Sequence, residues 1–196
     1  MGNDLVDLNE ARRTSNWQRP RYLDKIFTSN EQGYIKGAEN PFRMVWRLWS
    51  MKEAAYKLYT QIYPNRFYNP LGFECEVTDQ SGLVKFKDFL CYVETKETLH
   101  YILSEARLNS QSLGSTIIKF KCTGQREQSE ALKARLLRGV DDSYQLKKNK
   151  MGVPSLTNGE QLLSVSLTHH GSYGAFAIDH RFININGDES IGNEAV

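Results

Sequence analysis

Four residues of this chain have side chains suited to a single reaction centre. Asp4 closes the run Gly2-Asn3-Asp4 at the head of a strand-like stretch, Glu53 and Lys57 lie in LWSMKEAAYKLY (residues 48 to 59), and His169 lies in SLTH (residues 166 to 169) beside a Gly/Ser turn. Two carboxylates with room for water form the donor set Mg²⁺ prefers, because that ion takes a few carboxylates and completes its shell with water and substrate phosphate oxygens. A lysine beside them neutralises phosphate charge. The set points to Mg²⁺-dependent phosphoryl-type chemistry, provided the fold brings residues from opposite ends of the chain together. Taken alone, a Glu-to-Lys pair at i, i+4 on an exposed helix is worth only about 0.2 to 0.5 kcal/mol. A lone histidine in a strand is more often structural, the reading kept for His100 and His180, with His170 as a spare.

The elements that must position these residues follow from periodicity. In the stretch Leu48 to Tyr59, Leu48, Met51, Ala55 and Leu58 form an apolar helical stripe, while Trp49, Glu53 and Lys57 stack at i, i+4, i+8 on another face, with Trp49 assigned to the core. NDLVDL reads as a short strand, and TSNE, starting at Thr28, has the capping-box pattern of a helix start. YPNRFYNPLG is a loop, after which FECEVTD, LVKFKDF and CYVETK alternate like a meander with turns at DQSG and near Asp88. ETLHYILSEARL fits a helix or a strand, STIIKFKCT a strand, REQSEALKARLLRG a helix ended by Gly139, and LLSVSLTHH with YGAFAID a final strand pair. The class is α+β, an antiparallel sheet packed with helices. No internal repeat is visible, and NINGDESIGNEAV reads as a frayed tail.

Composition narrows the partners. With 196 residues, 40% of them hydrophobic and a net charge of +2, the chain has material for a sizeable core and too little positive charge to argue for nucleic acid. The charge is uneven, since Arg12, Arg13, Arg19, Arg21 and Lys25 face Asp24 alone within RRTSNWQRPRYLDK, which favours an acidic partner there. Cys75, Cys91 and Cys122 are odd in number and lack metal spacing, as expected of reduced thiols in a cytoplasmic protein. The sequence has no secretory n-region and h-region and no run of eighteen apolar residues, so neither secretion nor a membrane association is expected.

At the reactive residues the chain resembles the 4′-phosphopantetheinyl transferase superfamily. That family's signature is a G-x-D at a strand followed by W-x-x-K-E-A-x-x-K, matched here by Gly2-Asn3-Asp4 and by Trp49, Lys52, Glu53, Ala54 and Lys57. RYLDKIFTSNE, MGVP with Gly152 and Pro154, and SLTH, like the family's S-x-S/T-H, follow in the family's order. Motif order is closest to the small holo-acyl-carrier-protein synthase type, although LWSMKE resembles the two-lobed type. On that comparison the chain is one domain over residues 1–196, with an insertion at about 60–149 and a tail at about 184–196. Val6 stands where many two-lobed members carry a third metal-binding acid, and Asn3 where an apolar residue is usual.

The resemblance implies an activity and a division of labour. A serine of an apo acyl or peptidyl carrier protein attacks the β-phosphate of coenzyme A, which releases adenosine 3′,5′-bisphosphate. Asp4 and Glu53 are implied as Mg²⁺ ligands, Glu53 or a metal-bound water beside it as the base, and Lys57 as the cation that stabilises diphosphate charge. His169 is implied to contact coenzyme A phosphates, Lys52 to support the same field, and Arg12, Arg13 and Arg21 to dock the acidic carrier. One copy of each element further implies a site shared between neighbouring subunits of a ring, with a trimer favoured. A carrier-protein or coenzyme A binding module without transfer is the alternative, against which the intact Asp4, Glu53 and Lys57 stand.

Overall fold

The computed structural model describes residues 1–109 and 114–178; the tail expected at 184–196 and His180 lie outside them. Strand β1 (Gly2–Asp7) opens the chain, followed by α1 (Leu8–Thr14), α2 (Tyr22–Ile26), α3 (Ser29–Gly37) and the long α4 (Pro41–Ile62). A 3-10 turn (Pro70–Gly72) leads into β2 (Glu74–Val77), β3 (Ser81–Phe86), β4 (Phe89–Glu97) and β5 (Tyr101–Arg107). Then come β6 (Thr116–Lys119), α5 (Gln125–Leu137), β7 (Gln145–Lys148), β8 (Pro154–Thr157), β9 (Leu162–His170) and β10 (Tyr173–Ile178).

The strands form two five-stranded antiparallel sheets, ordered β1-β5-β4-β3-β2 and β6-β10-β9-β8-β7. In each, the first strand pairs with the last and the rest follow in reverse, with the principal helix between the first and second strands. The architecture is therefore duplicated, although the sequence shows no repeat. Residues 60–149, expected as an insertion, supply β2 to β5 of the first sheet and β6, α5 and β7 of the second. The ambiguous stretch at 98–108 forms strand β5 because it pairs with β1 on one side and β4 on the other, and burial of both faces erases the alternation that marks a strand.

Each sheet has its own core. The expected stripe of α4 is buried, with Leu48, Met51 and Ala55 at 0% exposure and Leu58 at 3%, and it packs with Val84, Val93 and Ile102 of the first sheet. Burial of such side chains contributes about 1.5 to 3 kcal/mol each. Leu132 and Leu136 of α5 pack with Val165, Phe176 and Ile178 in the second lobe. A third cluster of Leu5, Leu103 and Ala175 joins the lobes. Start signals read from the sequence are realised: Thr28 Oγ1 accepts from Glu31 N–H at 3.4 Å while Glu31 Oε2 accepts from Thr28 N–H at 2.7 Å.

Strand β1 is buried on both faces, and its residue types follow from that. A Cβ at Gly2 would come within 2.0 Å of the Ala54 carbonyl oxygen, so only glycine lets β1 lie this close to α4. Asp4 and Val6, two and four residues on, share that face, whereas Asn3 and Leu5 face the second lobe. Asn3, polar where the family is usually apolar, donates from Nδ2 to Ser115 Oγ at 3.0 Å.

Candidate active site

Asp4 is delivered to α4 by the close packing that Gly2 permits. Its Oδ1 accepts from Lys57 Nζ at 2.8 Å and from Thr168 Oγ1 at 3.0 Å, and Lys57 Nζ also donates to the Asn3 carbonyl at 2.9 Å. Lys57 therefore pairs across to β1 and not with Glu53, the partner that helical spacing suggests. Glu53 makes no hydrogen bond or ion pair among the described residues. Burial, with the negative charge of Asp4 beside it, raises its carboxyl from the usual range to about 7 against the opposing pull of Lys57.

This geometry fits a hard divalent cation. Asp4 presents one oxygen to Lys57 and Thr168 and leaves Oδ2 without a partner among the described residues, and its charge is felt by the unpartnered Glu53 carboxylate. Two like charges brought together away from bulk water are costly unless a cation joins them. Among the described residues no group of three or more His, Cys, Asp and Glu side chains is placed to hold a metal ion, so Asp4 and Glu53 are a set of two.

A cleft of about 430 Å³ opens between the lobes beside this centre. Lys57 and Arg66 line it from the first lobe, and Lys133, Lys148 and His169 from the second, an excess of positive charge with Tyr56, Leu146 and Val165 as apolar wall. Gly152 and Pro154 of MGVP also line it. His169 is exposed to the cleft, and its proton affinity is lowered by partial burial and then by the charge of Lys57. Its neighbour His170 is taken up structurally, with Nδ1 accepting from Asp7 N–H at 3.0 Å.

Lys52 is placed elsewhere. It is 2% exposed, paired with Glu31 Oε1 at 2.7 Å, and it donates to the carbonyls of Pro70 and Phe73. Its four-carbon stem carries the ammonium to the base of α3 and the 70–73 turn, so the expectation of a phosphate-facing cation is corrected to one of a buried tie between segments. Among the docking candidates, Arg12 stacks on Phe42 at 4.9 Å, Arg13 pairs with Glu10 at 2.8 Å, and Arg21 is exposed in the left-handed region at φ 63°. Phe42 precedes Glu53 by eleven residues of α4, about 16 Å along the helix.

Sequence reading missed how β9 serves the site. Strand β1 is the edge of the first sheet, and its unpaired amides are met by side chains of β9: Asn3 N–H donates to Ser166 Oγ at 2.9 Å, Leu5 N–H to Thr168 Oγ1 at 3.3 Å and Asp7 N–H to His170 Nδ1. The signal was present as polar groups at 166, 168 and 170, a period of two aimed at one side of a strand. Arg66 carried no signal beyond charge, whereas Lys133 and Lys148 fall in the basic surplus from Lys119 to Lys150, for which a place beside the coenzyme A 3′-phosphate is one of two readings.

A two-lobed α+β protein with an acidic pair and a basic cleft between its lobes is the class that fold and site define. Residues 1–112 match the sequence model of the 4′-phosphopantetheinyl transferase superfamily, and the chain belongs to that superfamily. The match takes in β1 through β5. A comparison of the sequence with characterised proteins gave no match. Among the described residues, no helix is long and apolar enough to cross a membrane.

Proposed function

We propose that this transferase moves 4′-phosphopantetheine from coenzyme A to a serine of an apo carrier protein. The observation that carries the reading is the charge contact between the Asp4 and Glu53 carboxylates, with Lys57, which is bonded to Asp4, lining a cleft whose charged side chains are cationic. Mg²⁺, held by Asp4 and Glu53, would supply charge neutralisation on the diphosphate. The residues of the chain do the rest. Lys57, His169 and the cleft cations Arg66, Lys133 and Lys148 bind and orient phosphate groups, and Tyr56 and Leu146 exclude water from one side. Glu53 receives the proton of the attacking serine as the serine oxygen bonds to the β-phosphorus and the bond from that phosphorus to the bridging α-phosphate oxygen breaks. Arg12, Arg13 and Arg21 offer a basic face to an acidic carrier.

The second lobe takes the place of the neighbouring subunit that motif order called for. Asp4, Lys57 and His169 converge within one chain, so no ring of subunits is needed to complete the site. The test is a mass measurement on an apo carrier after incubation with coenzyme A and Mg²⁺. Gain of the phosphopantetheine mass is expected with the wild type and its loss with Glu53→Gln, a change that removes no hydrogen bond or ion pair among the described residues. Near-normal turnover by Glu53→Gln overturns the assignment.

A further inference from the structure

The contact between Thr168 and Asp4 joins the two lobes at the acidic centre. Thr168 is 7% exposed, lies on β9 of the second lobe, and its single hydroxyl has two jobs: it accepts from the Leu5 amide and donates its proton to Asp4 Oδ1. A hydroxyl accepting from that amide is oriented to place its own hydrogen on the carboxylate. With Lys57 Nζ on the same oxygen, Asp4 Oδ1 has two donors, and the plane of the carboxylate is fixed from both lobes. Oδ2 has no partner among the described residues.

We propose that Thr168 is a positioning residue for the metal ligand Asp4: its hydroxyl holds Oδ1 so that Oδ2 faces Glu53 and takes the divalent cation. The inference rests on the functional reading above and adds that the second lobe, through one hydroxyl, sets the affinity of a site whose ligands belong to the first. Hydrogen-bond partners of metal-ligating carboxylates commonly carry 10- to 100-fold in metal affinity. Ser166 is the internal control. It meets the Asn3 amide two residues away with the same kind of bond and has no bond to Asp4.

The test measures cation binding directly. Mn²⁺ is titrated into wild type, Thr168→Val, Thr168→Ser and Ser166→Ala with coenzyme A present, and the bound ion is followed by its paramagnetic effect on water relaxation. Thr168→Val should weaken Mn²⁺ binding about tenfold or more, Thr168→Ser should restore it, and Ser166→Ala should lower thermal stability by a similar margin to Thr168→Val while leaving Mn²⁺ affinity unchanged. Equal affinity in wild type and Thr168→Val overturns the inference and leaves Thr168 as part of the seam between lobes. A wild type that takes up no Mn²⁺ overturns the metal site and this inference together. If Thr168→Val does not fold, the wild-type structure with Mn²⁺ bound decides: the ion on Oδ2, with Thr168 still bonded to Oδ1, supports the proposal, and the ion on Oδ1 with the hydroxyl displaced overturns it.

Discussion

Lys57 reaches across to Asp4, with Nζ 2.8 Å from Oδ1, and leaves Glu53, one turn earlier on the same helix, without an ion-pair partner among the described residues. The ion pair thus spans strand and helix instead of running along the helix. Its effect is to create one carboxylate held by two donors on a single oxygen and one held by none, a difference in environment that separates the roles of chemically similar groups.

The unsatisfied carboxylate should be visible in stability. For Glu53 the folded-state value of about 7 lies above the ordinary 4.5, so its contribution is fully present below about pH 4.5 and is lost as pH rises through 7. In metal-free protein, denaturant unfolding of wild type and Glu53→Gln compared from pH 5 to 8 should show the wild type losing stability relative to the variant by on the order of 2 kcal/mol. Parallel profiles would mean that Glu53 is as well solvated folded as unfolded.

A self-contained site makes a definite forecast for subunit mixing. Inactive Glu53→Gln and inactive His169→Ala chains, unfolded and refolded together, should stay as inactive as either parent, since each chain carries both lobes of its own site. Recovery of activity in the mixture, with exchange of chains confirmed, would show that the cleft is completed by a neighbour.

Lys52 should report on folding instead of substrate. Lys52→Met leaves the Glu31 carboxylate buried without its cation and removes donors to Pro70 and Phe73, a loss of about 3 to 5 kcal/mol by the usual cost of breaking a buried pair. In a chain of this size that is a fall in Tm of roughly 10 °C. The KM for coenzyme A should be unchanged; a raised KM at unaltered Tm would return Lys52 to the phosphate site.

Local signals in the sequence predicted local structure well. The Thr28 capping box, the α4 stripe and the strand run containing Asp4 are set by neighbours within a few residues, and all three are realised. What could not be read was set by distant partners. Whether residues 101–107 are helix or strand depends on β1, nearly a hundred residues away, and the destination of Lys52 depends on Glu31, whose carboxylate already caps α3. The duplicated topology was hidden because each lobe needs only compatible burial, not similar residues, to adopt the same strand order. Asp4, Glu53, Lys57 and His169 were legible as chemical types; the Thr168 contact was not, because a threonine in a strand reads as ordinary strand composition.

The seam along β1 also sets the order in which the chain can become safe during its own synthesis. Strand β1 is made before every other strand described, yet its partner β5 ends at Arg107 and the side chains that meet its outer amides lie between Ser166 and His170. At ribosomal rates of about 5 to 20 residues per second, that edge waits on the order of ten seconds or more with donors and Leu5 uncovered. A chain cut after residue 112 should therefore keep the first sheet but precipitate or pair edge to edge as concentration rises, as sedimentation would show, whereas a monodisperse soluble fragment would mean that β1 tolerates the lack of β9.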